Sequence, residues 1–138
     1  MKFLTCFLLT IFSFSARAEN WPNWRGPNHD GSTSSSKPAP VKFDPKNRVK
    51  WKVPLPGASS GTPIVWGDRV FLSSIRISDP KTGTGQLLAM CVDRSTGKIL
   101  WEQNAGSGYR PGKGDGFDYQ LDSKATYASA SPVTDGHL

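Results

Sequence analysis

A chain of 138 residues with two cysteines and a formal net charge of +6 excludes several classes at once. Two cysteines cannot build a disulfide scaffold, and neither stands with a histidine at zinc-ligand spacing. The basic residues are scattered (Lys50, Lys52, Arg69, Arg76, Arg94, Lys98) and form no stripe of the kind that tracks nucleic acid.

The first 18 residues predict a targeting segment. Lys2 gives a positive start, residues 3–14 are apolar apart from Thr and Ser, and Ala16-Arg17-Ala18 has the small-x-small form of a cleavage site. The apolar run is too short for a transmembrane span. Cleavage after Ala18 predicts an exported, periplasmic or secreted chain, 19–138. It removes Lys2 and Arg17, which takes the net charge from +6 to +4. Cys6 leaves with the leader, so Cys91 is the one mature cysteine and has no intrachain partner. As a small residue in an apolar run it is expected to be buried.

Residues 19–48 predict an irregular segment and linker. The stretch Trp21-Pro22-Asn23-Trp24-Arg25-Gly26-Pro27-Asn28-His29-Asp30-Gly31 mixes aromatic and turn residues without periodicity. Arg25 and Asp30 are candidate ligand residues there. The structural alternative is that Trp21 and Trp24 pin the segment to a surface, with Arg25 packed on a ring. Residues 49–53, Val49-Lys50-Trp51-Lys52-Val53, alternate apolar and polar and predict a half-buried strand. Pro54-Leu55-Pro56-Gly57 stops it.

Four further strands are expected in a unit at 58–103: 62–65, 69–74, 87–92 and 98–101. Turn residues separate them at 66–68, 79–85 and 93–97. In the last of these turns Asp93 can accept from backbone amides ahead of it, and Gly97 can take a positive φ. Residues 104–128 are Gly-rich and polar and predict an insertion. Within them Asp115, Asp118 and Asp122 are candidate metal ligands, although calcium loops space their ligands at alternate positions. Ser131-Pro132-Val133-Thr134-Asp135-Gly136 then parallels Thr62-Pro63-Ile64-Val65-Trp66-Gly67, so 129–138 reads as the start of a second unit. Val49-Lys50-Trp51 similarly parallels Ile99-Leu100-Trp101.

Two apparent catalytic motifs fail on context. Ser95-Thr96-Gly97-Lys98 has the Ser-x-x-Lys form, but a turn does not bring the two side chains together as a helical turn would. Gly112-Lys113-Gly114 lacks the earlier Gly and the following Ser or Thr of a phosphate loop. No catalytic residue is assigned.

The stretch Cys91-Val92-Asp93-Arg94-Ser95-Thr96-Gly97-Lys98-Ile99-Leu100-Trp101 resembles the tryptophan-docking motif of the pyrroloquinoline-quinone-type β-propeller repeat, Ala-x-Asp-x-x-Thr-Gly-x-x-x-Trp. Asp93, Thr96, Gly97 and Trp101 match, and Cys91 replaces the Ala. The Trp-x-x-Trp-Arg-Gly-Pro segment at Trp21 is similar to the mature N-terminus of secreted members of that family. The resemblance implies an all-β fold: one four-stranded blade, a strand bearing Trp51 that completes the last blade, and the start of a second blade, within a propeller of eight blades when complete. On that reading the chain is an N-terminal part of a larger protein. The partners it implies are the remaining blades of the same protein and a protein partner. The implied function is a non-catalytic binding or assembly scaffold without cofactor. The alternative is part of a periplasmic quinone-dependent alcohol or sugar dehydrogenase, with pyrroloquinoline quinone and calcium at the ring centre. No residue of this sequence matches those ligands, and no Cys-Cys pair is present.

Overall fold

The computed structural model describes residues 19–36, 38, 41–42, 44, 46–79, 84–109 and 128–137. The expected leader at 1–18 and the candidate ligands Asp115, Asp118 and Asp122 lie outside the described residues. Among those described, the protein is all-β, with no helix. Four strands form one antiparallel open sheet in sequence order: β1 (Ile64–Trp66), β2 (Arg69–Asp79), β3 (Thr84–Asp93) and β4 (Ile99–Tyr109).

Alternation along β3 gives the sheet its two faces. Leu88, Met90 and Val92 share one face, and Met90 and Val92 stand opposite Leu72 and Val70 of β2. Leu72, Leu88, Met90 and Val92 are buried together there, with Trp51 and Val70 packed against them. Burying each of these aliphatic side chains stabilises the sheet by about 1.5–3 kcal/mol. The opposite face carries Ile64 and Phe71, paired across β1 and β2, and Cys91 and Trp101, paired across β3 and β4. Cys91 is fully buried, and that burial pushes its thiol pKa up.

Each face is covered by a different flanking segment. The segment before β1 covers the Leu72–Val92 face through Trp51. It is clamped by Ser74, whose buried Oγ donates to the Gly57 carbonyl at 3.0 Å and accepts from the Gly57 amide at 3.3 Å. The segment after β4 lies on the other face, where Ser73 Oγ meets the Ala128 and Ala130 carbonyls, each at 3.0 Å. Farther along, Gly136 sits under the Trp66 ring.

Three expectations from sequence need adjusting. Residues 49–53 are in no strand ladder among the described residues, because Trp51 lies against the sheet face and not alongside an edge. The hairpin β3–β4 is longer than expected, and β4 continues through residues 104–109. Register shifts at Gly85/Gln86 and Leu87/Leu88 absorb the extra residues of the Gly- and Asn-containing stretch. Residues 129–137 form no strand among those described, although the segment meets the residues just before β1: the Thr62 amide donates to Ser131 Oγ at 2.8 Å and the Gly61 amide to the Ala128 carbonyl at 3.1 Å.

Candidate functional site

The β3–β4 turn is built by one carboxylate. Asp93 Oδ1 accepts from the Ser95 amide at 3.0 Å, Ser95 Oγ at 2.7 Å, the Thr96 amide at 2.8 Å and Thr96 Oγ1 at 2.7 Å. The backbone closes beneath it, with the Asp93 amide donating to the Lys98 carbonyl and the Gly97 amide to the Asp93 carbonyl, both at 2.8 Å. Thr96 Oγ1 also accepts from the Lys98 amide at 3.2 Å. Ser95 is thus committed to Asp93, and the Ser-x-x-Lys stretch is a turn.

These donors favour the ionised carboxylate. The Ser95 hydroxyl, then the Thr96 hydroxyl and amide, lower the Asp93 pKa from 3.8 to about 2. Since the folded value lies below the unfolded one, the carboxylate's contribution is full above pH 3.8 and is lost as the pH falls through about 2. An NMR titration should therefore place the Asp93 midpoint near 2, and a midpoint near 4 would contradict the four-donor geometry.

Gly97 ends the turn at φ 76°, a conformation that suits glycine. It also leaves room for a ring: a Cβ at Gly97 would come within 2.7 Å of Trp51 Cδ2. Trp51 Nε1 donates to the Arg94 carbonyl at 2.9 Å, so both the face and the edge of the indole engage this turn. The Arg94 amide in turn donates to the Asp68 carbonyl at 2.9 Å, and one Arg94 guanidinium nitrogen donates to the Gly67 carbonyl at 3.3 Å. Two hairpin turns and Trp51 are thereby locked at one end of the sheet.

Trp101 occupies the corresponding position on the outgoing strand, but its environment is different. Its ring lies 6.0 Å from Phe71, tilted by 48°, and the residue is 37% exposed. Beside it is a cleft of about 140 Å³, lined by Ile64, Phe71, Ala89, Trp101, Pro132 and Val133 among others. The lining is apolar apart from Thr134 and carries no charged side chain. The cleft can accept an apolar side chain.

The other candidates do not converge. Arg25 packs over Trp24 with its guanidinium carbon 4.5 Å from the ring centre. Asp30 accepts from the Ser32 amide at 2.8 Å, and its pKa is lowered chiefly by Ser32. Both residues serve their own turn. Only Trp21 pins the segment, because Trp24 is 59% exposed. Among the described residues no three His, Cys, Asp or Glu side chains are grouped to hold a metal ion. No helix there is long and apolar enough to cross a membrane.

Sequence reasoning missed two contacts of the same type, Trp51 on Gly97 and Trp66 on Gly136. Each indole lies over a glycine of positive φ that is distant in the chain. The available signal was the surplus of Trp and turn glycines, without any indication of which pairs would meet. Comparison with family models, with curated proteins and with solved structures finds no match to this chain.

Proposed function

We propose that the chain supplies the first blade of an exported repeat propeller of the pyrroloquinoline-quinone type, acting as a non-catalytic binding or assembly scaffold. The contact of Trp51 with the Asp93–Gly97 turn carries this reading. It puts a tryptophan from outside the four-stranded unit onto the unit's own motif turn. Trp101 stands 50 residues after Trp51, half-open beside an apolar cleft, as the equivalent tryptophan for a following unit. Two further observations support the reading. The flanking segments approach opposite faces of the sheet, as stacked blades would. The segment that follows β4 repeats the hydroxyl-Pro-apolar pattern that begins just before β1 and meets it at Thr62.

A scaffold needs faces and edges for partners, and it does not need reacting groups. One preparation tests both export and the lack of catalysis. Protein recovered from the periplasm or medium is expected to begin at Glu19. Supplied with pyrroloquinoline quinone and calcium, the whole exported protein that carries this chain is expected to reduce no redox dye with alcohols or sugars. Quinone-dependent turnover would replace the scaffold with the dehydrogenase.

A further inference from the structure

The edge of β1 is occupied by the chain's own N-terminal arm, and the manner of its attachment suggests a binding site. The Trp21 amide donates to the Val65 carbonyl at 2.7 Å, and the Val65 amide donates back to the Trp21 carbonyl at 2.9 Å. This reciprocal exchange is one antiparallel ladder position. Asn20 Oδ1 extends it by accepting from the Gly67 amide at 2.7 Å. On the other side, the Pro22 carbonyl accepts from the Thr134 amide at 3.0 Å. Three consecutive arm residues therefore satisfy β1, the turn after it and the segment that follows β4. Pro22 has no N–H to offer, so the ladder stops there.

The arm is otherwise folded on itself. The Trp21 ring covers Gly26 of its own turn, where a Cβ would come within 2.7 Å of the ring and φ is 75°. Asn23 ties down the Arg25 amide and the Gly26 carbonyl, both at 2.9 Å. The Gly31 amide returns to the Arg25 carbonyl at 2.8 Å. At the base, the Glu19 carboxylate accepts from Thr33 Oγ1 and from Ser34 Oγ. The arm's bonds to Val65, Gly67 and Thr134 are made by Asn20, Trp21 and Pro22, whereas the bonds that close the loop lie within residues 19–34.

We infer that the β1 edge, with Thr134 beside it, is a strand-addition site for an extended peptide of the form carboxamide–x–proline, held closed in cis by Asn20-Trp21-Pro22. Main-chain bonds to Val65 provide the attachment, and the flanking carboxamide and proline carbonyl set register through Gly67 and Thr134. The inference rests on β1 and its contacts, and does not require the repeat reading.

The probe is a fluorescent peptide of residues 19–31, added to the unmodified protein and to an Asn20→Ala, Trp21→Ala variant whose own arm is weakened. The variant is expected to bind the peptide at least tenfold more tightly, with the Val65 and Thr134 amides becoming protected from hydrogen exchange. A peptide carrying Asn20→Ala, which lacks the acceptor for the Gly67 amide, is expected to bind at least tenfold more weakly. Equal affinity for both proteins, or protection elsewhere than at Val65 and Thr134, would overturn the inference. If the variant does not fold, exchange in the unmodified protein decides. There the Val65 and Thr134 amides are expected to open together and at least tenfold more often than the β2–β3 amides. Opening only along with the whole sheet would overturn it.

Discussion

Replacing Trp51 with alanine is expected to destabilise the β3–β4 turn by about 3 kcal/mol, or roughly a hundredfold more frequent opening of its amides. Three interactions are lost together. The indole leaves the Leu72–Val92 core cluster, the Nε1 bond to the Arg94 carbonyl is lost, and Gly97 loses the ring that covers it. Gly97→Ala should give an effect of similar size, because the new Cβ meets the ring and φ 76° is unfavourable for alanine. The two effects should not add. Once the ring is gone, Gly97→Ala should cost only about 1 kcal/mol, the backbone part. Hydrogen exchange of the Asp93–Gly97 amides in the four proteins of this cycle measures the coupling. Simple additivity would mean that ring and glycine act independently, contrary to the observed contact.

Trp101→Ala should show two different magnitudes, depending on what lies beside it. In chain 19–138 the ring has Phe71 as its aromatic neighbour and is partly open to water. Its removal there is expected to cost about 1 kcal/mol, the scale of an aromatic pair. In a protein carrying a following blade, the proposed docking buries the ring and the cost should rise to about 3–5 kcal/mol. Thr96→Ala should cost about 1 kcal/mol in both, since it removes hydrogen bonds within the turn. Hydrogen exchange of the β3–β4 amides in both lengths gives the comparison. The same small cost for Trp101→Ala in each would show that nothing docks on it.

Much of the sheet was readable from local chemistry. The turn at Asp93–Gly97 was legible because an Asp, two hydroxyl residues and a Gly in that order leave the backbone little else to form. Strand order followed from short connections at 67–68 and 94–98. The length of β4 was not legible, because Asn104, Gly106 and Ser107 read as loop on their own. They are strand because β3 continues to Thr84 and its edge needs a partner, with bulges taking up the mismatch. The role of Trp51 was hidden for a different reason. Alternation in Val49-Lys50-Trp51 suits any half-buried extended segment, whether it lies in a ladder or across a sheet face. Tertiary packing on Gly97 settled the matter, and a glycine carries no sequence mark of the ring it will meet. The β1 edge was missed similarly, since Trp21 lies in an aperiodic stretch and pairs with Val65 across 44 positions.

On the proposed reading, this sheet is one blade that completes its burial against others. Ile77, Ile99, Leu100, Trp101 and Val133 remain between 37% and 76% exposed, and the described residues provide no strand to cover the outer edge of β4. Unsatisfied edges of this kind recruit other chains, and a lone repeat lacks the neighbours that stabilise repeat proteins. Thermal unfolding of chain 19–138, followed together with hydrophobic-dye binding and sedimentation, tests the claim most directly. Dye binding, self-association and no cooperative transition are expected. A soluble monomer that binds no dye and melts in one sharp two-state transition would show a self-sufficient β-domain and contradict the blade reading.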